Sequence, residues 1–168
     1  DQLSDVHGYR VRSRATDAVG NTQTEYGQDS FTYDSTEPET VLDIPDDFYN
    51  ISGWNTAAPI QGSAYATSGI QLIDIAVEDN TAGGIYFHGE NWAEGEHWFT
   101  DDGQESWSTI LDAAYFTDGS QYTVYARATD AAGNQETSPA SDTFIFDSTP
   151  AGSEVLVERD FYNSDNWI

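Results

Sequence analysis

Apolar side chains recur at every second position through most of the chain. Tyr122, Val124, Ala126 and Ala128 alternate with Thr123, Tyr125 and Arg127, and far upstream Tyr9, Val11, Ser13 and Ala15 alternate with Arg10, Arg12 and Arg14. Phe144 and Phe146, like Phe31 and Tyr33, mark the strand that follows each of these runs; Ile73, Ile75 and Val77 form a further run, and Ile60, Gly62 and Ala64 another. Period two is the signature of strands with one buried face. Turn residues punctuate the runs, as in Asp118-Gly119 and the Asp130 to Asn134 segment, where Gly133 and Asn134 tolerate positive φ and Asp130 can bond to backbone N–H groups across the turn. No stretch of eleven or more residues carries a helical stripe. The pattern predicts an all-β sandwich.

The runs also repeat. Arg14-Ala15-Thr16-Asp17-Ala18-Val19-Gly20-Asn21 returns 113 residues later as Arg127-Ala128-Thr129-Asp130-Ala131-Ala132-Gly133-Asn134. Asp34-Ser35-Thr36 returns as Asp147-Ser148-Thr149, and Asp47-Phe48-Tyr49-Asn50 as Asp160-Phe161-Tyr162-Asn163. Without a gap, residues 1–55 and 114–168 agree at 21 of 55 positions, including Trp54 with Trp167, which chance does not produce. The expected organisation is a window across a tandem array of a longer parent. Residues 1–36 would be the last strands of one copy, 37–147 a complete copy, and 148–168 a linker and the first strand of the next.

These residues carry a resemblance. Asp118-Gly119, Tyr122 and Val124, Arg127 to Asn134, and the strand ending Phe146-Asp147-Ser148-Thr149-Pro150 resemble the tandem bacterial immunoglobulin-like repeats of large surface and adhesin proteins. Phe48 to Asn50 with Trp54, then Ile60 to Ala64 and Ser68-Gly69-Ile70, resemble the opening strands of such repeats, and Tyr86 to Trp107 their aromatic hairpin. The resemblance implies an immunoglobulin-like β-sandwich of about seven strands that acts as a spacer. One departure is the linker, where Glu37 stands at the position of Pro150 in the second copy.

Composition narrows the function. Thirty acidic residues against five basic ones give a formal charge of −25 and a pI near 4.1, so the chain offers no basic surface for nucleic acid. No apolar run reaches membrane-spanning length, and without cysteine neither disulfides nor thiolate metal sites are available. All five cations are Arg, so lysine isopeptide cross-links are excluded. An aromatic content of 14% supplies core material that disordered acidic chains lack. Self-repulsion on this scale calls for screening cations, which fits a saline or calcium-rich extracellular or cell-surface location.

Calcium is the expected cofactor. Ca²⁺ takes six to eight oxygen ligands, and Asp17, Asn21 and Asp34, repeated as Asp130, Asn134 and Asp147, offer them on turns and strand ends, with Asp47 and Asp160 on the opening strands. Asp34 is expected to meet Asp47 and Asn50 across a junction; a turn cap without metal is the alternative. His88, Glu90, Glu94, Glu96 and His97 match no usual zinc spacing and read as a solvated hairpin. Trp92, Trp98 and Trp107 read as packing rather than a sugar platform. Asp101, Asp102 and Glu105 share one turn and do not face each other across a cleft as glycoside hydrolysis requires. Arg10, Arg12 and Arg14 share one outward strand face and are candidate contacts to the carboxylates of a neighbouring copy or chain.

The expected function is a non-catalytic spacer, or stalk, in a large secreted or cell-surface adhesin-like protein, stiffened by calcium. Its partners would be neighbouring repeats, with a glycan or surface target elsewhere in the parent. The alternatives are a subunit of a self-assembling filament or sheath, and a carbohydrate-binding module.

Overall fold

The computed structural model describes residues 2–57, 59–102 and 105–156. It is an all-β fold. A hairpin of β1 (His7–Ser13) and β2 (Gly27–Tyr33) stands as its own two-stranded sheet. Ten strands follow: β3 (Glu39–Asp43), β4 (Phe48–Tyr49), β5 (Ile60–Tyr65), β6 (Ile70–Asp79), β7 (Ile85–Phe87), β8 (Trp92–Ala93), β9 (Phe99–Asp102), β10 (Ser106–Thr109), β11 (Ser120–Asp130) and β12 (Ala140–Phe146). Three of these ten have only two or three residues, leaving seven of four or more. They form two sheets, one ordered β10-β5-β3 and one ordered β4-β12-β11-β6-β7-β8 with β9 also paired to β6. No helix among the described residues is long and apolar enough to cross a membrane.

The alternation places the core where expected. Ile73, Ile75 and Val77 of β6, Tyr122, Val124, Ala126 and Ala128 of β11, and Phe144 and Phe146 of β12 are buried in one cluster. Ile60 and Ala64 of β5 and Trp107 of β10 close it from the smaller sheet. The Tyr122 hydroxyl accepts the Thr117 N–H at 2.8 Å, the tyrosine corner that the Asp118-Gly119 turn suggests.

One element differs from expectation. Residues Ile51–Ala57 form a short helix, α1, whose seven residues are too few to show a stripe and too few to be stable alone. Asn50 starts it by accepting the Gly53 N–H at 2.8 Å. Packing holds it, because α1 carries Trp54 to the centre of the core, where its Nε1–H donates to the Leu111 carbonyl at 2.6 Å.

The hairpin and the last two strands superimpose in register as well as in sequence. His7 faces Tyr33 and Ser13 faces Gly27; at the same offset of 113, Ser120 faces Phe146 and Ala126 faces Ala140. Tyr9 stacks on Phe31 with centroids 5.5 Å apart, and Tyr122 on Phe144 at 5.4 Å. One site is strained by this identity. Gly119 adopts φ +76°, and Val6, its counterpart, takes φ +53°, a region that a β-branched residue enters only under constraint.

Candidate functional site

The place where the hairpin meets the sandwich gathers three of the polar residues singled out above, Asp34, Asp130 and Asn134. It is built on the turn after β11. Asp130 is fully buried, and its Oδ1 accepts the N–H groups of Ala132 at 2.9 Å and Asn134 at 2.8 Å. Its Oδ2 accepts from Asn134 Nδ2 at 2.9 Å, while Gly133 at φ +93° turns the chain. Burial alone would raise the Asp130 carboxyl, but donors on Asn134, Ser68 and Ala132 outweigh it and hold the group below the usual 3.8. Asp17 builds the same loop with Val19, Gly20 and Asn21, and the Asn21 side chain leads in lowering its carboxyl. In both loops the carboxylate is occupied by the turn itself.

Asn134 also reaches out of its loop. Its Nδ2 donates to the carbonyl of Asp34, one hundred residues earlier, at 3.2 Å. Glu37 Oε2 accepts both the N–H and the hydroxyl of Thr137 at 2.9 Å. Glu136 bridges inward, taking the N–H of Thr40 and of Ala128 at 3.2 Å each. A shallow cavity of about 410 Å³ lies beside these bonds, between Val6, Thr32 and Asp34 on the hairpin side and Ser68, Ala131 and Ala132 on the sandwich side. Asp34 Oδ1 caps Thr36 at 3.1 Å, and its Oδ2 is buried with no hydrogen-bond partner.

The structure therefore separates the expected calcium ligands. Asp34, Asp130 and Asn134 come together at the junction. Asp34 meets the turn after β11 there rather than Asp47 and Asn50, which lie at the other end of β12. There the Asp47 carbonyl accepts the Ile145 N–H and the Tyr49 carbonyl accepts the Asp147 N–H, both at 2.9 Å. The reason is the parallel pairing of β4 with the final residues of β12, which carries Asp47 and Asn50 away from the hairpin. Asp17 sits at the far tip of the hairpin, and Asp160 lies outside the described residues. Among the described residues no group of three or more His, Asp or Glu side chains is arranged to hold a metal ion.

Sequence reasoning missed the clamps on the linkers. Asp118 accepts the Ser148 N–H at 2.6 Å, the Ser148 hydroxyl at 3.0 Å and the Thr149 hydroxyl at 2.6 Å. Asp5 holds Ser35 and Thr36 in the same way. The signal was present, since Asp5 and Asp118 are among the 21 repeated positions and each Asp-Ser-Thr tripeptide repeats with them. The Thr149 hydroxyl and then the Ser148 N–H lower the Asp118 carboxyl from 3.8, and Thr36 and Ser35 lower that of Asp5. A lowered carboxyl favours the clamped form above the unclamped value and loses that preference as pH falls through its own. The Ser148 amide should thus be protected from hydrogen exchange at neutral pH and released only as pH falls through the lowered Asp118 value, below the usual carboxylate range. Asp118→Ala should release it at every pH without a resolvable change in Tm; unchanged Ser148 protection in that variant would refute the clamp.

The remaining aromatic candidates take part in ring packing. Trp92 donates to the Tyr115 carbonyl at 2.8 Å and packs on Phe87 and Tyr122, and Trp107 is buried against β5. Trp98 lies 3.9 Å beneath the Arg127 guanidinium, which pairs with Asp74 at 3.5 Å. His88 and His97 stack with centroids 4.4 Å apart, and Glu90, Glu94 and Glu96 are exposed around them. Asp101 and Asp102 stand in β9 opposite Ile73 and Leu72, in line along one strand. No protein-family model, no curated protein and no solved structure matches this chain.

Proposed function

We propose that the chain is a non-catalytic structural spacer of an extracellular, cell-surface protein. In this reading β-sandwich units are held end to end and stiffened where they meet. The observation that carries it is the docking of the hairpin's end onto the turn after β11, through Asn134 to Asp34 and Thr137 to Glu37, beside the clamped Asp-Ser-Thr tripeptide. Hydrogen bonds on both sides of a short linker limit bending, which a spacer needs and a flexible tether does not. The repeated sequence and register support the same unit being used more than once.

Calcium would act at this junction. Asp34 Oδ2, buried and unpartnered, and the side-chain oxygen of Asn134 fit a hard cation, with backbone carbonyls and water completing the shell. The carboxylates of Asp17 and Asp130 fit less well, because their own turns already engage them. When bound, the ion would neutralise part of a local field set by 25 net negative charges.

The test compares Tm and the maximum dimension from small-angle X-ray scattering in chelator, in millimolar Ca²⁺, and in Mg²⁺ at equal ionic strength. Calcium alone should raise Tm and sharpen the extended shape, and Asp34→Asn should abolish that response. Equal effects of Ca²⁺, Mg²⁺ and monovalent salt would reduce the ion's role to charge screening. A chain that flexes freely at residues 34–38 in every condition would refute the spacer itself.

A further inference from the structure

Histidine is scarce in this chain, and two of its three copies stand face to face. His88 and His97 stack with ring centroids 4.4 Å apart and planes inclined by 16°, and both are half-buried. They close the loop that carries β8. Gly89, directly after His88, and Gly95, two residues before His97, each take φ +92°, and these left-handed turns fold the loop back on itself. His88 also donates its backbone N–H to the Asn91 carbonyl at 2.8 Å.

The base of this loop is fixed on both sides. His88 follows Phe87, which is 2% exposed and packs on Trp92, and the Trp92 indole donates to the Tyr115 carbonyl at 2.8 Å. His97 precedes Trp98, which lies 3.9 Å from the Arg127 guanidinium, and then Phe99, paired with Ile75 of β6. Both imidazoles therefore project from anchored neighbours. Neither ring belongs to the core cluster, so filling the core does not call for a histidine pair here.

The surroundings give the pair its chemistry. His88 Nε2 stands 3.2 Å from the Gly95 carbonyl oxygen, which can only accept. A neutral His88 ring thus carries its proton on Nε2 and a lone pair on Nδ1. Metal-binding histidines are oriented in the same way, with one nitrogen donating to a carbonyl and the other left for the ion. The loop also carries Glu90, Glu94 and Glu96, all exposed, and no Lys or Arg lies between positions 88 and 97. Its local field favours a cation.

We infer that His88 and His97 together bind a divalent transition-metal ion, Cu²⁺ most tightly and Zn²⁺ more weakly. Imidazole nitrogen suits these ions, whereas Ca²⁺ and Mg²⁺ take oxygen ligands. Metal–nitrogen bonds of about 2.0–2.1 Å put two nitrogens on one ion about 3–4 Å apart. That is close to the present ring spacing, so turning the side chains is enough and the backbone stays in place. Among the described residues no third His, Asp or Glu is arranged with the pair. Water and a loop carboxylate that swings in complete the shell, which makes the ion exchangeable rather than structural. The site is separate from the junction at Asp34 and does not rest on the spacer reading.

The test titrates the full chain with Cu²⁺ and with Zn²⁺ by calorimetry, in millimolar Ca²⁺ so that sites open to any cation are already filled. The paramagnetic resonance spectrum of the Cu²⁺ complex is then recorded. The native chain should bind one Cu²⁺ and show nitrogen hyperfine coupling. His88→Gln and His97→Gln should each weaken binding by about tenfold or more. His7→Gln, which removes the remaining histidine, should change nothing, and unchanged circular dichroism would show that each variant keeps the fold. A double variant at His88 and His97 that binds as tightly as the native chain overturns the proposal. So do copper displaced by calcium, a spectrum with oxygen ligands alone, and an equal loss in His7→Gln. A loss confined to one of the two histidines would make the site a single imidazole and overturn the pair.

Discussion

Trp54→Ala should lower the unfolding free energy of the sandwich by about 3–5 kcal/mol, the range for large-to-small changes at a fully buried aromatic. The indole is 0% exposed and touches three rings, Tyr49, Phe116 and Phe144, at centroid distances of 5.4, 4.5 and 4.8 Å. It links three separate elements, β4, β12 and the segment before β11, through a residue on a helix too short to stand alone. Its loss also orphans the Leu111 carbonyl. Against a typical domain stability of about 5–15 kcal/mol this is a large fraction, and Tm should fall by roughly 15 °C or more. Trp54→Phe keeps much of the packing and removes the N–H donor, so it should cost about 1–3 kcal/mol. Urea unfolding followed by circular dichroism distinguishes the two. A loss under about 1 kcal/mol for the alanine variant would mean that α1 is not docked as described.

The second large effect is expected at a residue with no side chain. A Cβ on Gly62 would stand 2.1 Å from the Val41 carbonyl oxygen and 2.6 Å from Trp107 Cζ2. One neighbour is the backbone of the paired strand and the other a ring packed in the core, so neither can give way cheaply. Gly62→Ala should therefore destabilise by about 1–3 kcal/mol through overpacking, and Gly62→Val by more. Gly152→Ala, where nothing lies within 4 Å, is the control and should change little. A Gly62→Ala variant within about 0.5 kcal/mol of the native chain would contradict the close approach of β3 to β5.

Alternation made β5, β6, β11 and β12 legible because each has one face in the core and one outside, and side-chain direction in a strand has period two. The tyrosine corner at Tyr122 was legible from its position after an Asp-Gly turn. Helix α1 was not, because seven residues carry no period and its order comes from Trp54 finding a site formed by residues up to ninety positions away. The partner of Asp34 was misplaced for a related reason. Strand order alone does not tell which end of a sandwich a loop reaches until the parallel pairing of β4 with β12 is known.

Local chemistry acts within a few residues, and there the sequence by itself was sufficient. It determined the all-β class, the paired turns at Asp17 and Asp130, the equivalence of the two hairpins, and the uneven charge. Tertiary structure alone decided that Asp34 meets Asn134, that Asp118 clamps Ser148 and Thr149, that Trp54, Trp92 and Trp107 pack into or against the core, and that Gly62 leaves no room for a methyl group. Each of these joins groups some thirty to one hundred residues apart in the chain, or strands whose register must be known. Their energies depend on distances of a few tenths of an ångström, which only the closed and packed chain sets.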